Sequence, residues 1–381
     1  MRFKRCAKTR AASAMAACLA MLFVTPGAWA QETKEKVTVS DVDRTYLVRL
    51  PRGYDAKQKY PVVILLHGMN QDTDDMERLT RFAQLADKDG IIAVYPSALH
   101  GRWNVGVRPP VQQPAMRSPG RGRRGGGGGY PGGGGGGYPG GGGGGGGYPG
   151  GGQSGGQGRN DETRSEPADD VDFLNQMLDQ MALKFSLDQA RIYATGLSEG
   201  GLMAMKAGCS MADRIAAIAP VGAAMPKTMI CLPSRPLPVV MINGTSDPVV
   251  PYGGGTEHNL HLPVISVEDS AKAWAKMARC GEKPTQSKLP SHEKGGMEIK
   301  VETYDGCQQG AQVVSYSVKG AGNTWPGGEQ YEVENEVGKT SPDPDANETI
   351  WSFLSTKKIE VKAATDQPAP DKSSADTSTP K

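Results

Sequence analysis

The 381-residue sequence carries almost no excess of charge of either sign, with 43 Lys and Arg against 41 Asp and Glu. A formal charge of +2 gives the chain as a whole no attraction for a polyanion, which argues against a nucleic-acid partner. It also lacks a long apolar run. Residues 11–24 fall short of the roughly 20 residues a membrane span requires, and no later segment is long enough. No C-x-x-C pair is present, so a zinc site has no ligand spacing behind it and no metal is expected.

What is present begins with an export signal. Arg2, Lys4, Arg5, Lys8 and Arg10 form a basic start, residues 11–24 an apolar stretch, and Ala28-Trp29-Ala30 a small-x-small cleavage site. Residues 1–30 therefore read as a signal peptide, with a mature chain that starts at Gln31 and is secreted or periplasmic. Residues 105–168 hold a tract that is nearly all glycine from 125 to 151, broken by Tyr130-Pro131, Tyr138-Pro139 and Tyr148-Pro149 and preceded by Arg117, Arg121, Arg123 and Arg124. Such a composition cannot bury a core and is expected to be disordered. A flexible chain of about 65 residues spans roughly 40–50 Å, so it can leave a fold and re-enter it. One reading is a tolerated loop expansion. The sharper one is a surface tether in which Tyr and Arg touch glycans, an anionic surface or nucleic acid. Residues 358–381 read as a disordered polar tail.

The remainder, 31–104 and 169–357, is enough for one domain with a well-buried core. Its four cysteines are Cys209, Cys231, Cys280 and Cys307, an even number that in an exported chain suggests disulfides. Three pairings are open; Cys209–Cys231 and Cys280–Cys307 are expected because each closes a short local loop. Continuous apolar runs at 60–66, 91–95, 215–221 and 238–244 read as buried strands. Residues 74–89 read as one helix stopped by Gly90, and 267–278 and 347–354 as two more. This alternation predicts an α/β fold, a mostly parallel central sheet with helices on both faces, and active groups at the C-terminal ends of the strands.

The chain is organised around Gly196-Leu197-Ser198-Glu199-Gly200-Gly201, which an apolar strand enters and an amphipathic, helix-forming segment leaves. A G-x-S-x-G between strand and helix is a nucleophile elbow, in which the turn is so tight that side chains flanking the serine would clash. Ser198 is the candidate nucleophile, its hydroxyl set at a helix N-terminus that favours an oxyanion. The backbone N–H groups of Glu199 and Met69 are the candidate oxyanion donors. Asp247, after the next strand but one, stands where the acid of a Ser…Asp…His order belongs. A turn-capping aspartate before Pro248 is the plainer alternative.

Further segments carry a resemblance: Leu66-His67-Gly68, Trp103-Asn104, Asp169-Asp170-Val171-Asp172-Phe173, Asn243-Gly244-Thr245-x-Asp247-x-x-Val250-Pro251-Tyr252 and Gly320-x-Gly322-x-Thr324-Trp325-Pro326-Gly327-Gly328. With the elbow, they resemble the secreted polyhydroxybutyrate-depolymerase-like and feruloyl-esterase-like branch of the α/β-hydrolases, over most of 37–353. The resemblance implies an α/β-hydrolase fold and cleavage of esters of hydroxyalkanoates, aromatic acids or acetylated sugars without a cofactor. It also implies a catalytic histidine between Gly322 and Thr324, where this sequence has Asn323.

An amide has no proton affinity near neutral pH and cannot be a general base. Three expectations follow. The chain is an ester hydrolase with impaired chemistry; or His258 or His261, which follow Asp247, substitutes as base; or it is a catalytically silent homologue that binds a ligand or polymer, with Trp103, Tyr252 and Trp325 gripping a ring. Glu199 is a second oddity, since a carboxylate beside the nucleophile opposes an oxyanion unless it points away.

Overall fold

A computed structural model describes residues 31–106, 169–291 and 296–360. The expected signal peptide and all but the first two residues of the expected glycine-rich insertion lie outside these, as does the expected tail beyond residue 360. Twelve strands run in chain order: β1 (Gln31–Val39), β2 (Val42–Leu50), β3 (Tyr60–Leu66), β4 (Ile92–Pro96), β5 (Leu187–Leu197), β6 (Ala217–Val221), β7 (Val239–Gly244), β8 (Gly255–Thr256), β9 (Pro263–Val264), β10 (Thr285–Leu289), β11 (Ile299–Tyr304) and β12 (Val313–Val318). The helices are α1 (Thr73–Thr80), α2 (Phe82–Asp89), α3 (Asp170–Lys184), α4 (Glu199–Ser210), α5 (Val267–Met277), α6 (Glu334–Val337) and α7 (Ala346–Leu354).

Ten strands form one sheet in the order β1-β2-β4-β3-β5-β6-β7-β12-β11-β10, and β8 and β9 pair apart from it. The six central strands, β4 to β12, are mutually parallel, whereas both edges are antiparallel. Side chains alternate across the sheet, so β3 sends Val62, Ile64 and Leu66 into one apolar layer and Val63 and Leu65 into the other. The first layer is closed by α3, α4 and α5 (Phe173, Met203, Trp274), the second by α1, α2 and α7 (Met76, Phe82, Ile350). This is the α/β-hydrolase architecture expected from the sequence.

The single helix expected over 74–89 is two. The chain breaks at Arg81, which takes a left-handed φ of 52°. Tertiary partners take up the freed groups there: the Thr80 carbonyl accepts from Asn347 Nδ2 at 2.6 Å, the Leu79 carbonyl from the Glu329 amide at 3.2 Å. Both disulfides form as expected, Cys209–Cys231 and Cys280–Cys307. Loops of this size restrict the unfolded chain by roughly 3 kcal/mol each. Where the insertion leaves the fold, the Asn104 amide donates to Asp170 Oδ2 at 2.5 Å, and the other oxygen of Asp170 pairs with Arg44 at 2.6 Å in a fully buried bridge. The two ends of the insertion are thus clasped together.

Candidate active site

The elbow is built by contact. Ser198 sits between β5 and α4 at φ 57° and ψ −116°, a sparsely populated conformation for a residue with a side chain, costing of order 1–3 kcal/mol. Its amide donates to the Val221 carbonyl at 2.9 Å, which ties the turn to β6. A Cβ on Gly196 would lie 2.6 Å from the Leu66 carbonyl oxygen, and one on Gly200 would run into that same oxygen. The two glycines are therefore demanded by the approach of α4 to the end of β3. Among the described residues the Ser198 hydroxyl has no hydrogen-bond partner.

Opposite the elbow, the loop after β3 is locked. The Ala98 amide donates to His67 Nε2 at 3.0 Å, so Nδ1 carries the proton and donates to the Gly68 carbonyl at 2.7 Å. Burial holds this imidazole below its ordinary pKa, neutral and with both nitrogens engaged. The Trp103 indole lies 5.1 Å from the ring and donates to the His67 carbonyl at 2.8 Å. The Met69 amide is thereby held on a rigid loop. The Glu199 amide, first in α4, has no intrahelical acceptor. These are the two N–H groups the sequence offered as oxyanion donors.

Asp247 follows β7 and is 8% exposed. Its Oδ1 accepts from the Val249 and Val250 amides at 2.8 and 2.7 Å, its Oδ2 from Asn323 Nδ2 at 2.8 Å. Burial outweighs these bonds and pushes its carboxyl up to about 7. Asn323 is fully buried. Its Nδ2 also donates to the Gly222 carbonyl at 2.9 Å, and two acceptors on one side fix the amide orientation. Its Oδ1 is buried without a donor. The amide thus supplies the N–H an imidazole would give the aspartate, and no base.

The sequence-derived ring-gripping role fails for two of three residues. Trp325 is fully buried and donates to Asn347 Oδ1 at 3.0 Å. Trp103 is buried against His67. Both rings are framework, because their N–H groups and faces are already used. Tyr252 is half-buried, its hydroxyl sharing a 2.6 Å hydrogen bond with Ser317. His258 and His261 are exposed, and neither is hydrogen-bonded to Asp247, whose oxygens are already occupied.

Two residues the sequence did not single out, Arg102 and Glu257, complete the site around Glu199. Glu199 is 3% exposed; its Oε1 faces Arg102 Nε at 3.4 Å, and its Oε2 is buried with no donor. Burial pushes this carboxyl up to about 7, with Arg102 opposing and Glu257 adding to the shift. Glu257 is itself buried, bonded to the Asn259 and Leu260 amides, and held above its usual range by burial. Arg102 directly precedes the Trp103-Asn104 segment and Glu257 directly precedes His258, but neither is itself part of a motif, so no sequence signal points to either.

The esterase family model, described as "Putative esterase", matches residues 38–113. "Putative esterase NocK" of Nocardia uniformis is 24% identical over 340 residues, 86% of this chain and 84% of that protein. Feruloyl esterase B of Piromyces equi is 34% identical over 163 residues, 41% of this chain and 29% of that protein. The bifunctional acetylxylan esterase/xylanase XynS20E of Neocallimastix patriciarum is 22% identical over 77% of this chain, which spans 31% of it.

Proposed function

We propose that the chain is an esterase of the α/β-hydrolase fold, and from that premise that it is an exported, serine-type carboxylic ester hydrolase whose turnover is impaired by the amide at position 323. The observation that carries this reading is the strained backbone of Ser198, held by glycine contacts so that its hydroxyl stands at the start of α4. Ser198 Oγ attacks the ester carbonyl, the Met69 and Glu199 amides receive the oxyanion, the alcohol departs, and water releases the acyl group. The loss of a triad base costs roughly 10⁴–10⁶ in rate, with the oxyanion donors supplying the remainder. The Piromyces and Neocallimastix relatives favour aromatic-acyl or acetyl esters as substrates. Export is supported by the N-terminal signal pattern and by two disulfides, which persist in oxidising compartments. No helix among the described residues is long and apolar enough to cross a membrane.

One observation favours a silent, ligand-binding homologue instead: Asn323 already satisfies Asp247 and fills the slot of the base. Hydrolysis of p-nitrophenyl butyrate by the mature protein, Ser198→Ala and Asn323→His decides between them. Activity in the parent that disappears in Ser198→Ala supports the hydrolase. A silent parent awakened by Asn323→His supports the binding role. Silence in a folded Asn323→His variant overturns the assignment of the triad positions.

A further inference from the structure

We propose that Arg102 is the specificity residue of this site and selects esters that carry a free carboxylate. The inference rests on the hydrolase reading of Ser198, which brings an ester to the elbow beside this arginine.

Placement comes first. Gly101 and Trp103, on either side of Arg102, are both bonded to the loop that holds Met69. The Gly101 carbonyl accepts from the Asn70 amide at 2.9 Å, and the Trp103 indole donates to the His67 carbonyl at 2.8 Å. Gly101 takes a left-handed φ of 68°, and a Cβ there would lie 3.3 Å from Asn70 Cα, so the two loops touch. The Arg102 amide donates to the Leu99 carbonyl at 3.1 Å. From this fixed backbone the side chain crosses to the start of α4, where Nε faces Glu199 Oε1 at 3.4 Å. Glu199 directly follows Ser198. The guanidinium thus links the oxyanion loop to the nucleophile's own helix, and it also acts on the carboxyl of Glu257, on the loop after β7.

Availability comes second. The contact with Glu199 is loose, since a charge-assisted N–H···O bond closes to about 2.7–2.9 Å. It engages Nε alone. Among the described residues Nη1 and Nη2 have no hydrogen-bond partner, and the side chain is 44% exposed. Neighbouring cations are engaged elsewhere: Lys206 donates to the Asn104 carbonyl, and Arg44 is buried against Asp170. Arg102 therefore reaches the elbow with two amino groups uncommitted.

Chemistry comes third. The Nη1/Nη2 edge of a guanidinium offers two parallel N–H donors at the spacing of the two oxygens of a carboxylate, a match that a single carbonyl or hydroxyl does not make. The carboxyls facing this cation, Glu199 and Glu257, would repel an anion if fully charged. Burial holds both above the ordinary carboxylate range, and the Asn259 and Leu260 amides compensate Glu257 further. Glu199 keeps its proton up to about pH 7, so at neutral pH much of the Arg102 charge is left for a ligand. The carboxylate belongs either to the acyl half or to the alcohol half of the ester, and two pairs of probes separate these.

The test measures affinity at pH 7 by isothermal titration calorimetry in the Ser198→Ala background, which does not turn the ester over. Monomethyl adipate is compared with methyl hexanoate for the acyl half, and 4-acetoxybenzoate with its methyl ester for the alcohol half. At least one carboxylate ester is expected to bind roughly 10-fold or more tighter than its neutral partner. In Ser198→Ala/Arg102→Gln that ratio falls toward one, whereas Ser198→Ala/Arg102→Lys, which keeps the charge without the fork, retains part of it. Equal or unmeasurable binding within both pairs overturns the proposal. So does a ratio that survives Arg102→Gln, or an equal loss of affinity for both members of a pair, which is what a purely structural arginine gives. Hydrolysis by the parent is read separately. If it releases no acid from these esters in a Ser198-dependent way, the hydrolase reading fails, while the affinity ratio still decides the role of Arg102.

Discussion

Replacing Glu199 by Gln is expected to stabilise the protein, by an amount that depends on pH in a defined direction. The folded protein holds this carboxyl proton up to about pH 7, whereas in the unfolded chain it titrates at its ordinary 4.5. A raised carboxyl contributes stability that is fully present below the unfolded value and is lost as pH rises through the folded one. Over the interval from 4.5 to about 7 the loss amounts to about 3 kcal/mol. Glutamine mimics the protonated form at every pH and keeps that stability. The difference in unfolding free energy, Glu199→Gln variant minus parent, should thus be near zero at pH 4 and grow to about 3 kcal/mol by pH 8, or roughly 6–12 °C in Tm. Asp247 and His67 titrate in both proteins and cancel in the difference. Urea unfolding of the disulfide-intact proteins at one-unit pH steps, followed by tryptophan fluorescence, measures it. A difference that stays flat with pH, or that falls, would refute the burial of an unsatisfied carboxylate at this position.

Three other outcomes follow from contacts described above. Trp103→Phe removes the indole donor to the His67 carbonyl, at a cost of about 1–3 kcal/mol, and loosens the loop that carries Met69. It should lower kcat with little change in KM, which steady-state kinetics separates. Gly200→Ala forces a methyl into the Leu66 carbonyl, so it should cost several kcal/mol, by comparison with ~1–3 for ordinary overpacking, and prevent recovery of soluble protein or lower Tm sharply. Cys280→Ala/Cys307→Ala should lower unfolding free energy by about 2–4 kcal/mol without moving the elbow, read as reduced Tm with retained fluorophosphonate labelling of Ser198.

The elbow was legible because its requirements are local. Two glycines, a strand and a helix in series leave the chain little choice, and the structure adds only which atoms enforce them. The sheet's parallel core and the disulfides were legible for a similar reason, through apolar runs of strand length and cysteines close in sequence. The break at Arg81 was not, because the groups that absorb it, Asn347 and Glu329, lie some 250 residues away in sequence. Trp103 and Trp325 were misread as ligand contacts because a sequence shows a ring's chemistry but not which side of a loop it faces. Glu199 was visible as an anomaly; its unpaired oxygen and its neighbours Arg102 and Glu257 emerge only once two distant loops meet the start of α4.

The clasp of Asn104 and Asp170 has a consequence for how this gene tolerates change. Because the Arg44–Asp170 bridge and the Asn104 amide pin the two stumps together, the fold is joined across the insertion by contacts that do not depend on the insertion's length. Replication slippage in a glycine-coding repeat can lengthen or shorten that stretch from generation to generation and leave the hydrolytic machinery unaltered. The same stumps form a natural graft point, where a foreign module with adjacent termini can be carried by this fold.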